Sequence, residues 1–176
     1  LDQSMNVFSA MLERLLDISK LDAGLIKPNF KSIELSGLFE WLEQTFAQDA
    51  LEHQLRFRLI YPVGKPLLIR SDIVLLQSIL MNLVTNAIKY TEQGSILISA
   101  RVRGDKVLLQ VWDTGIGIAE QDLAHIFDEF YQVGNQHRSR EGGLGLGLSI
   151  CQRAISLLGS EITCRSHLGR GSVFQF

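Results

Sequence analysis

The chain has 176 residues, a formal net charge of −2 and a hydrophobic fraction of 46%, enough apolar material for one globular domain with a sizeable core. The near-neutral charge excludes a global basic field that would attract nucleic acid, and no run of Lys and Arg points to an anionic membrane surface. The two cysteines, Cys151 and Cys164, have neither metal-site spacing nor a disulfide framework, and we interpret them as buried thiols.

The first segment predicts a helix with a narrow apolar seam of the coiled-coil or bundle type. The seam residues, at steps of four and three, are Leu1, Met5, Phe8, Leu12 and Leu15. The helix is predicted to end near Ala23, with Gly24 as its stop and Pro28 just beyond. Its stripe can pack against the following domain or against another helix. We therefore expect residues 1–28 to be a helical segment that precedes a domain spanning residues 29–176.

The first half of that domain alternates short strands with amphipathic helices. A strand is expected at residues 30–35, followed by a helix that Ser36 caps. That helix has an apolar side made of Leu38, Phe39, Leu42 and Phe46. Alternation over residues 55–61 predicts a strand. Asp72 then begins the longest apolar-periodic helix, expected from Ile73 to about Tyr90.

The second half predicts a hairpin, two helices and two closing strands. Residues 95–102 and 106–112 flank Gly104 and Asp105, an order that favours a type II′ turn. One helix is expected after the first glycine pair and another at residues 146–158, before strands at 161–166 and 172–176. The predicted fold class is α+β: a two-layer sandwich of one mixed, mainly antiparallel sheet with helices on one face.

An acid and two glycines follow the predicted strand that ends near Trp112. Asp113 could accept a hydrogen bond from the exocyclic amino group of adenine, and Gly115 and Gly117 would let a ligand approach the backbone closely. Taken alone, the stretch favours a tight strand-to-helix turn that Asp113 caps.

A second glycine cluster leads directly into a predicted helix. Backbone N–H groups of Gly143, Gly145 and Gly147, together with the positive helix end, form a candidate phosphate site. The pattern is neither a Walker loop nor a Rossmann turn. About twenty-five polar residues without periodicity separate the two glycine clusters, which is typical of a functional lid.

Three polar residues lie on one face of the long helix, at steps of four and three. Asn86 could supply a carbonyl oxygen to Mg²⁺, and Lys89 could meet phosphate charge. Asn82 lies one turn earlier. The alternative is that either asparagine only ties the helix to a neighbouring loop.

These elements, in this order, resemble the ATP-binding catalytic domain of sensor histidine kinases, within the Bergerat-fold ATPase superfamily. "NLVTNAIKYT" is similar to the family's N box, "DTGIG" to its first glycine box, "IFDEF" to its F box and "GLGLGL" to its second glycine box. "LERLLDISKLDAG" resembles the second helix of the dimerisation and histidine-phosphotransfer region. The resemblance extends over nearly the whole chain.

The resemblance implies a role for each matched residue. Asn86 would hold Mg²⁺, Lys89 and Tyr90 would face the phosphates and ribose, and Asn82 would form a polar wall of the phosphate pocket. Asp113 would bind the adenine amino group. Phe127 and Phe130 would anchor a lid at about residues 131–142. The remaining implied nucleotide-binding residues are Gly115, Gly117, Ile118, Gly143, Leu144, Gly145, Leu146, Gly147 and Leu148.

The resemblance also separates branches of the superfamily. Gyrase, mismatch-repair and heat-shock ATPases carry a Glu four residues before the Mg²⁺ asparagine and an Asp three residues after it, where this chain has Asn82 and Lys89. Because an amide cannot deprotonate water as a carboxylate can, the resemblance favours a kinase over an ATP-hydrolysing enzyme. The chain departs from the family at Leu144, where Thr or Ser is common, and at Leu75, where many members have Arg.

None of the four histidines, His53, His125, His137 and His167, has the context of a phosphoacceptor. The resemblance therefore implies an acceptor histidine upstream of Leu1 and Mg²⁺·ATP as phosphoryl donor. It also implies a homodimer formed through the kinase's own transfer helices, a response-regulator receiver domain as partner, and a cytoplasmic location in a parent protein that could be membrane-anchored. Two alternatives stay open: a nucleotide-gated dimerisation or scaffolding module without kinase activity, and a serine/threonine kinase or hydrolase on the same fold.

Overall fold

The structure is a computed structural model that describes residues 19–20, 23–64, 66–133 and 145–176. The predicted apolar seam, Gly143, Leu144 and most of the predicted lid lie outside the described residues. Ser19 and Lys20 are helical. Gly24 has a φ of +64°, and the Leu25 N–H donates to the Lys20 carbonyl oxygen over 3.1 Å. This is the bonding of a left-handed glycine stop, and it confirms the helix end predicted there.

The described part of the chain from Lys31 onwards forms strands and helices in the order that the sequence predicts, with one addition. The elements are β1 (Lys31–Glu34), α1 (Leu35–Glu52), β2 (Arg56–Ile60), β3 (Leu68–Ser71), α2 (Ile73–Tyr90), β4 (Ser95–Arg103), β5 (Lys106–Asp113), α3 (Glu120–Leu123), α4 (Gly147–Leu157), β6 (Thr163–His167) and β7 (Gly171–Gln175). The α+β class is confirmed. The helix after the first glycine pair, α3, is only one turn long.

The strands form two sheets rather than the single sheet that was predicted. The larger sheet has the order β2-β4-β5-β7-β6; β2 is parallel to β4 and the other pairs are antiparallel. The strand β3, which the sequence did not predict, pairs with β1 in a separate antiparallel sheet. Four residues show too little alternation to predict a strand, and here pairing with β1 decides the conformation.

The start of α1 differs from the prediction. The helix begins at Leu35 with Glu34 in the capping position, and no side chain caps it. The Ser36 hydroxyl instead donates to Glu34 Oε1 over 2.7 Å. The Leu35 N–H donates to the Leu67 carbonyl oxygen over 2.9 Å, so a tertiary contact satisfies the first amide and the helix starts earlier. The predicted apolar side is confirmed, since Leu38, Phe39, Leu42 and Phe46 are buried.

The long helix α2 is capped as predicted. Asp72 Oδ1 accepts from the Val74 and Leu75 N–H groups over 2.9 and 3.1 Å, and Oδ2 accepts from the Asn29 N–H over 2.7 Å. Burial alone would raise the pKa of Asp72, but these three backbone donors outweigh it and lower the pKa. By length and composition α2 could cross a membrane, but its apolar side is packed in the domain core.

The main core lies between the helices and one face of the five-stranded sheet. Buried side chains of α1, α2 and α4 pack against inward residues of the strands, such as Ile96, Ile98, Leu109 and Val111. Gly104, at the tip of the β4–β5 hairpin, has a φ of +62° and Asp105 has a negative φ, as the predicted type II′ turn requires. This packing fixes α2, the end of β5 and the start of α4 relative to one another.

Candidate functional site

A cavity of about 160 Å³ opens between α2, the loop after β5, the start of α4 and β7, far more room than one water needs. The described residues that form its wall are Asn86, Ala87, Lys89, Tyr90, Asp113, Ile116, Gly117, Ile118, Ile126, Tyr131, Gln132, Val133, Gly145, Gly147, Leu148, Ser172 and Phe174. The wall mixes apolar side chains with a few polar groups that converge from different elements, which is typical of a small-molecule site.

Asp113 is the acidic group in this wall. Its Oδ1 accepts from the Gly115 N–H over 2.8 Å and from the Ser172 N–H over 3.3 Å. Burial raises the pKa of Asp113, and the two backbone donors oppose that rise. Within the described part of the chain, Oδ2 accepts no hydrogen bond. The carboxylate is thus fixed by one oxygen and keeps the other available to a donor in the cavity.

The loop after Asp113 is fastened to two other parts of the molecule. The Ile116 N–H donates to the Tyr90 carbonyl oxygen over 3.1 Å, and the Ile116 carbonyl oxygen accepts from the Gly169 N–H over 2.6 Å. The Ile118 N–H donates to Ser166 Oγ over 2.8 Å. The loop therefore joins the end of α2 to the β6–β7 hairpin along one side of the cavity.

Backbone packing requires both glycines of this loop, Gly115 and Gly117. A Cβ at Gly115 would lie 2.2 Å from the Tyr90 carbonyl oxygen, and one at Gly117 would lie 2.0 Å from the His167 carbonyl oxygen. Gly117 also has a φ of +68°, which L side chains rarely adopt. A side chain at either position would collide with protein backbone. The sequence alone did not reveal this reason for the two glycines.

The two asparagines of α2 differ in their surroundings. The Asn86 side chain is half-buried and lies in the cavity wall beside Lys89 and Tyr90, and its amide makes no hydrogen bond within the described residues. The Asn82 side chain is outside the wall and donates to the Ser78 carbonyl oxygen of its own helix over 3.0 Å. Lys89 Nζ lies 5.1 Å from the centre of the Tyr90 ring.

The helix α4 begins at the cavity. Its first residues, Gly147 and Leu148, belong to the wall, and amides of a first helical turn have no partner within the helix. The positive end of α4 thus faces the cavity. Gly145, with a φ of +69°, accepts from the Phe130 N–H over 3.0 Å; a Cβ there would lie 2.8 Å from the Tyr131 carbonyl oxygen.

The segment before the predicted lid is held by side-chain contacts. Phe127 packs against the core, whereas Phe130 is 53% exposed and has a φ of +61°. The Tyr131 hydroxyl donates to Asp122 Oδ1 over 2.6 Å, and this hydrogen bond raises the pKa of Tyr131. Of the predicted lid, residues 131–133 are described, and all three contribute to the cavity wall.

The structure brings most of the sequence-predicted site residues together. Those in the cavity wall are Asn86, Lys89, Tyr90, Asp113, Gly117, Ile118, Gly145, Gly147 and Leu148. Those described but outside it are Asn82, Gly115, Phe127, Phe130 and Leu146. Ser172 and Phe174 of β7 were missed because no local motif marks them. The register Asp113↔Ser172 reveals them, and only strand pairing provides it.

The chain belongs to the family described as histidine kinase-, DNA gyrase B-, and HSP90-like ATPases, which its sequence matches over residues 71–176. It is an ATP-binding domain of the type found in sensor histidine kinases. The sequence is 33% identical over 166 residues to the circadian input-output histidine kinase CikA of Synechococcus elongatus, covering 93% of this chain and 22% of CikA. It is 29% identical over 174 residues to the sensor histidine kinase RcsC of Escherichia coli, covering 99% of this chain and 18% of RcsC.

Solved structures agree with this assignment. Full-length ShkA in complex with AMPPNP has a TM-score of 0.85 and 28% identity, over 99% of this chain and 36% of that one. The catalytic domain of the histidine kinase ThkA has a TM-score of 0.72 and 30% identity, over 84% of this chain and 93% of that one. The chain spans about a fifth of the length of the curated relatives that it matches.

Proposed function

We propose that this chain is the ATP-binding catalytic region of a two-component sensor histidine kinase, which transfers the γ-phosphoryl group of ATP to a histidine for relay to a receiver-domain aspartate. One observation carries the proposal: the amide of Asn86, the carboxylate of Asp113 and the first turn of α4 meet in one cavity. An amino-group acceptor, an oxygen ligand and a phosphate-binding helix end are what recognition of Mg²⁺·ATP requires.

The nucleotide would lie along this wall with its base at Asp113. Asp113 Oδ2 would accept from the exocyclic amino group of adenine, while Oδ1 stays bonded to Gly115 and Ser172. The apolar side chains of Ile116 and Phe174 would contact the base, because both are in the wall. At the other end, the amides of Gly147 and Leu148 would bind phosphate oxygens.

The residues present fit Mg²⁺ as a cofactor. Asn86 offers a carbonyl oxygen that no described residue occupies, and oxygen is the ligand that Mg²⁺ prefers. No cluster of three or more His, Cys, Asp or Glu suited to a metal occurs in the described regions, so phosphate oxygens and water would supply the other ligands. When bound, Mg²⁺ would neutralise phosphate charge and favour attack at the γ-phosphorus. Lys89 would add a positive charge beside it.

The acceptor in this proposal is an imidazole from the histidine-phosphotransfer helices of the same kinase or of its partner subunit. Two of the described histidines face acids instead: His53 lies 3.1 Å from an Asp49 carboxylate oxygen and His125 lies 2.9 Å from an Asp128 carboxylate oxygen. Asn82 stands where hydrolysing relatives carry a carboxylate base, and its amide cannot activate water. The domain would act in the cytoplasm, where ATP is available.

The test uses the full-length parent protein incubated with ATP labelled on its γ-phosphate. The proposal predicts a protein-bound label that survives alkali and is lost in acid, as phosphohistidine is. An Asn86→Ala variant should lose the label. Acid-stable label would indicate a serine/threonine kinase, and free phosphate alone would indicate a hydrolase. Nucleotide binding without any label would indicate a scaffolding module, and each of these three results would refute the kinase.

A further inference from the structure

The second face of the five-stranded sheet, called here the outer sheet face, carries no described helix. Side chains alternate between the two faces of a strand, and the inward set packs under α1, α2 and α4. The outward set includes six cations, which are Arg56, Arg58, Arg101, Arg103, Lys106 and Arg165. All six are exposed, and none forms an ion pair with a carboxylate of the described residues.

Charge is segregated between the two layers of the molecule. The strands of the larger sheet contain a single carboxylate, Asp113, and that one faces the nucleotide cavity. On the opposite layer, α1 carries only acids as charged residues: Glu40, Glu43, Asp49 and Glu52. The chain as a whole is at −2, so the outer sheet face is a positive patch on an otherwise net negative domain.

An apolar row lies at the centre of this face. Leu97, Trp112 and Val173 are neighbours across β4, β5 and β7, and Trp112 is 37% exposed. Arg58 and Arg165 extend the same row at its two ends. Five adjacent strands put these ends about 19 Å apart. The row therefore has an aromatic centre with a guanidinium at each end.

A ladder of hydrogen bonds holds the neighbouring row in place. Ser99 Oγ donates to Gln110 Oε1 over 3.3 Å, and Gln110 Nε2 donates to Gln175 Oε1 over 3.0 Å. Arg165 Nη2 donates to the same Gln175 oxygen over 3.4 Å. Both amides are thus hydrogen-bonded within the sheet, and Gln175 holds Arg165 before any partner arrives, which lowers the entropy cost of binding.

Protection of sheet edges accounts for charge on the outer sheet face but not for its apolar centre. Edge strands are commonly charged, with Lys especially frequent, to prevent aggregation, and Arg56, Arg58 and Arg165 lie on the edge strands β2 and β6. Arg101, Arg103 and Lys106 lie where β4 and β5 extend beyond their pairing with β2 and β7. The exposed acids nearest in sequence, Asp105 and Glu161, lie in the hairpin turn and ahead of β6, at the borders of the face. The exposed Trp112 between these cations lies on the interior strand β5, where protection of an edge gives no reason for it.

We propose that the outer sheet face is a docking surface for an acidic protein, one that presents carboxylates around an apolar side chain that covers Trp112. An aromatic centre with an arginine-rich rim is the composition of protein–protein hot spots. One exposed aromatic residue gives no stacking array for single-stranded nucleic acid. The net negative remainder of the domain would be repelled by an extended polyanion such as an anionic membrane.

Trp112 provides the reporter for a test with the full chain. In a Trp41→Phe background Trp112 is the only tryptophan, and Phe should preserve the edge contact that Trp41 makes with Phe46. The probe is a ten-residue peptide of alternating glutamate and leucine, and its lysine–leucine counterpart is the control. We expect the acidic peptide alone to shift the Trp112 emission to the blue, with weaker binding at high salt because exposed charges are screened.

Charge reversal identifies the surface. The double variant Arg58→Glu/Arg165→Glu should weaken binding about ten-fold or more, since attraction at both ends becomes repulsion. The matched control Lys27→Glu/Arg70→Glu changes the net charge equally on exposed positions outside the larger sheet and should bind like the parent. Circular dichroism checks that both variants fold.

Other occupants give different results. Equal or tighter binding of phosphatidylserine vesicles or of a ten-nucleotide single strand would overturn the protein partner. Sedimentation tests whether the chain associates with itself. If it does, and if Arg58→Glu/Arg165→Glu abolishes the association, the acidic partner is a second copy of this chain docked through α1, and the proposal of a different protein is overturned. An acidic peptide that does not bind, or that binds both double variants equally, would refute the docking surface.

Discussion

Asp113 is the residue at which folding and the proposed recognition of the nucleotide make opposite demands. Two backbone N–H groups fix one carboxylate oxygen, yet burial raises the pKa of the acid above the ordinary value of 3.8. A raised pKa means that the folded state disfavours the charge. The cost to stability is absent below the ordinary pKa and is present in full once the pH exceeds the raised pKa.

We therefore expect Asp113→Asn to separate binding from stability. The asparagine oxygen can keep both backbone hydrogen bonds, but its NH₂ group would meet the adenine amino group donor to donor. Affinity for an ATP analogue should fall about ten-fold or more, measured by calorimetry. The melting temperature at neutral pH should stay equal or rise, and its advantage over the parent should shrink as the pH falls towards 4. A variant that melts well below the parent at neutral pH would contradict this.

The two asparagines of α2 allow a matched comparison one turn apart. Asn86→Ala removes an amide in the cavity wall that no described residue bonds, whereas Asn82→Ala removes one that donates to its own helix. We expect the first to abolish the Mg²⁺ dependence of nucleotide binding and the second to reduce affinity only slightly. Nucleotide titrations with and without Mg²⁺ measure both effects. A similar loss of affinity in the two variants would indicate that Asn82 also lines the phosphate pocket.

At the scale of elements, the loop after β5 connects three of them. Its backbone bonds to the end of α2 and to the β6–β7 hairpin, and the absent side chains of Gly115 and Gly117 make these contacts sterically possible. The β5 register with β7 places Ser172 against Asp113. The cavity wall is therefore continuous from helix to sheet.

An added methyl group should lower the stability of the fold by different amounts at two glycines with positive φ. Gly117→Ala combines a φ of +68° with a Cβ 2.0 Å from a carbonyl oxygen, whereas Gly104→Ala has a φ of +62° in open space. Gly104→Ala should cost about 1–2 kcal/mol from backbone conformation alone. Gly117→Ala should lower stability further and weaken nucleotide binding. Chemical denaturation gives the comparison, and equal costs would show that the loop can shift away.

At the scale of the whole molecule, Ser166 joins segments that are distant in sequence. Its Oγ accepts from the Ile118 N–H, 48 residues away, and donates to the Gly171 carbonyl oxygen over 2.9 Å. It also lies 2.9 Å from Ser172 Oγ. The hydroxyl thereby links the cavity loop to the strand that carries Ser172.

Ser166→Ala should lower both stability and nucleotide affinity. The Ile118 N–H would lose its partner in a half-buried position, which costs about 1–3 kcal/mol. The control is Ser156→Ala on α4, where an exposed hydroxyl donates to the Gln152 carbonyl oxygen, and its effect should be within about 0.5 kcal/mol. If Ser166→Ala binds ATP like the parent, the loop is positioned by its other contacts.

Local sequence signals were enough to predict the presence and order of the helices, the hairpin and the candidate residues on each of them. Periodicity marks α2 and its Asp72 cap, and the glycine clusters mark the two loops, because these signals arise from residues close together in the chain. Tertiary structure alone decided the start of α1 at Leu35, the strand β3, and the entry of Ser172 and Phe174 into the cavity. It also gathered six cations, which form no run in the sequence, on one sheet face. Strand pairing joins residues far apart in sequence, and no local pattern encodes that register.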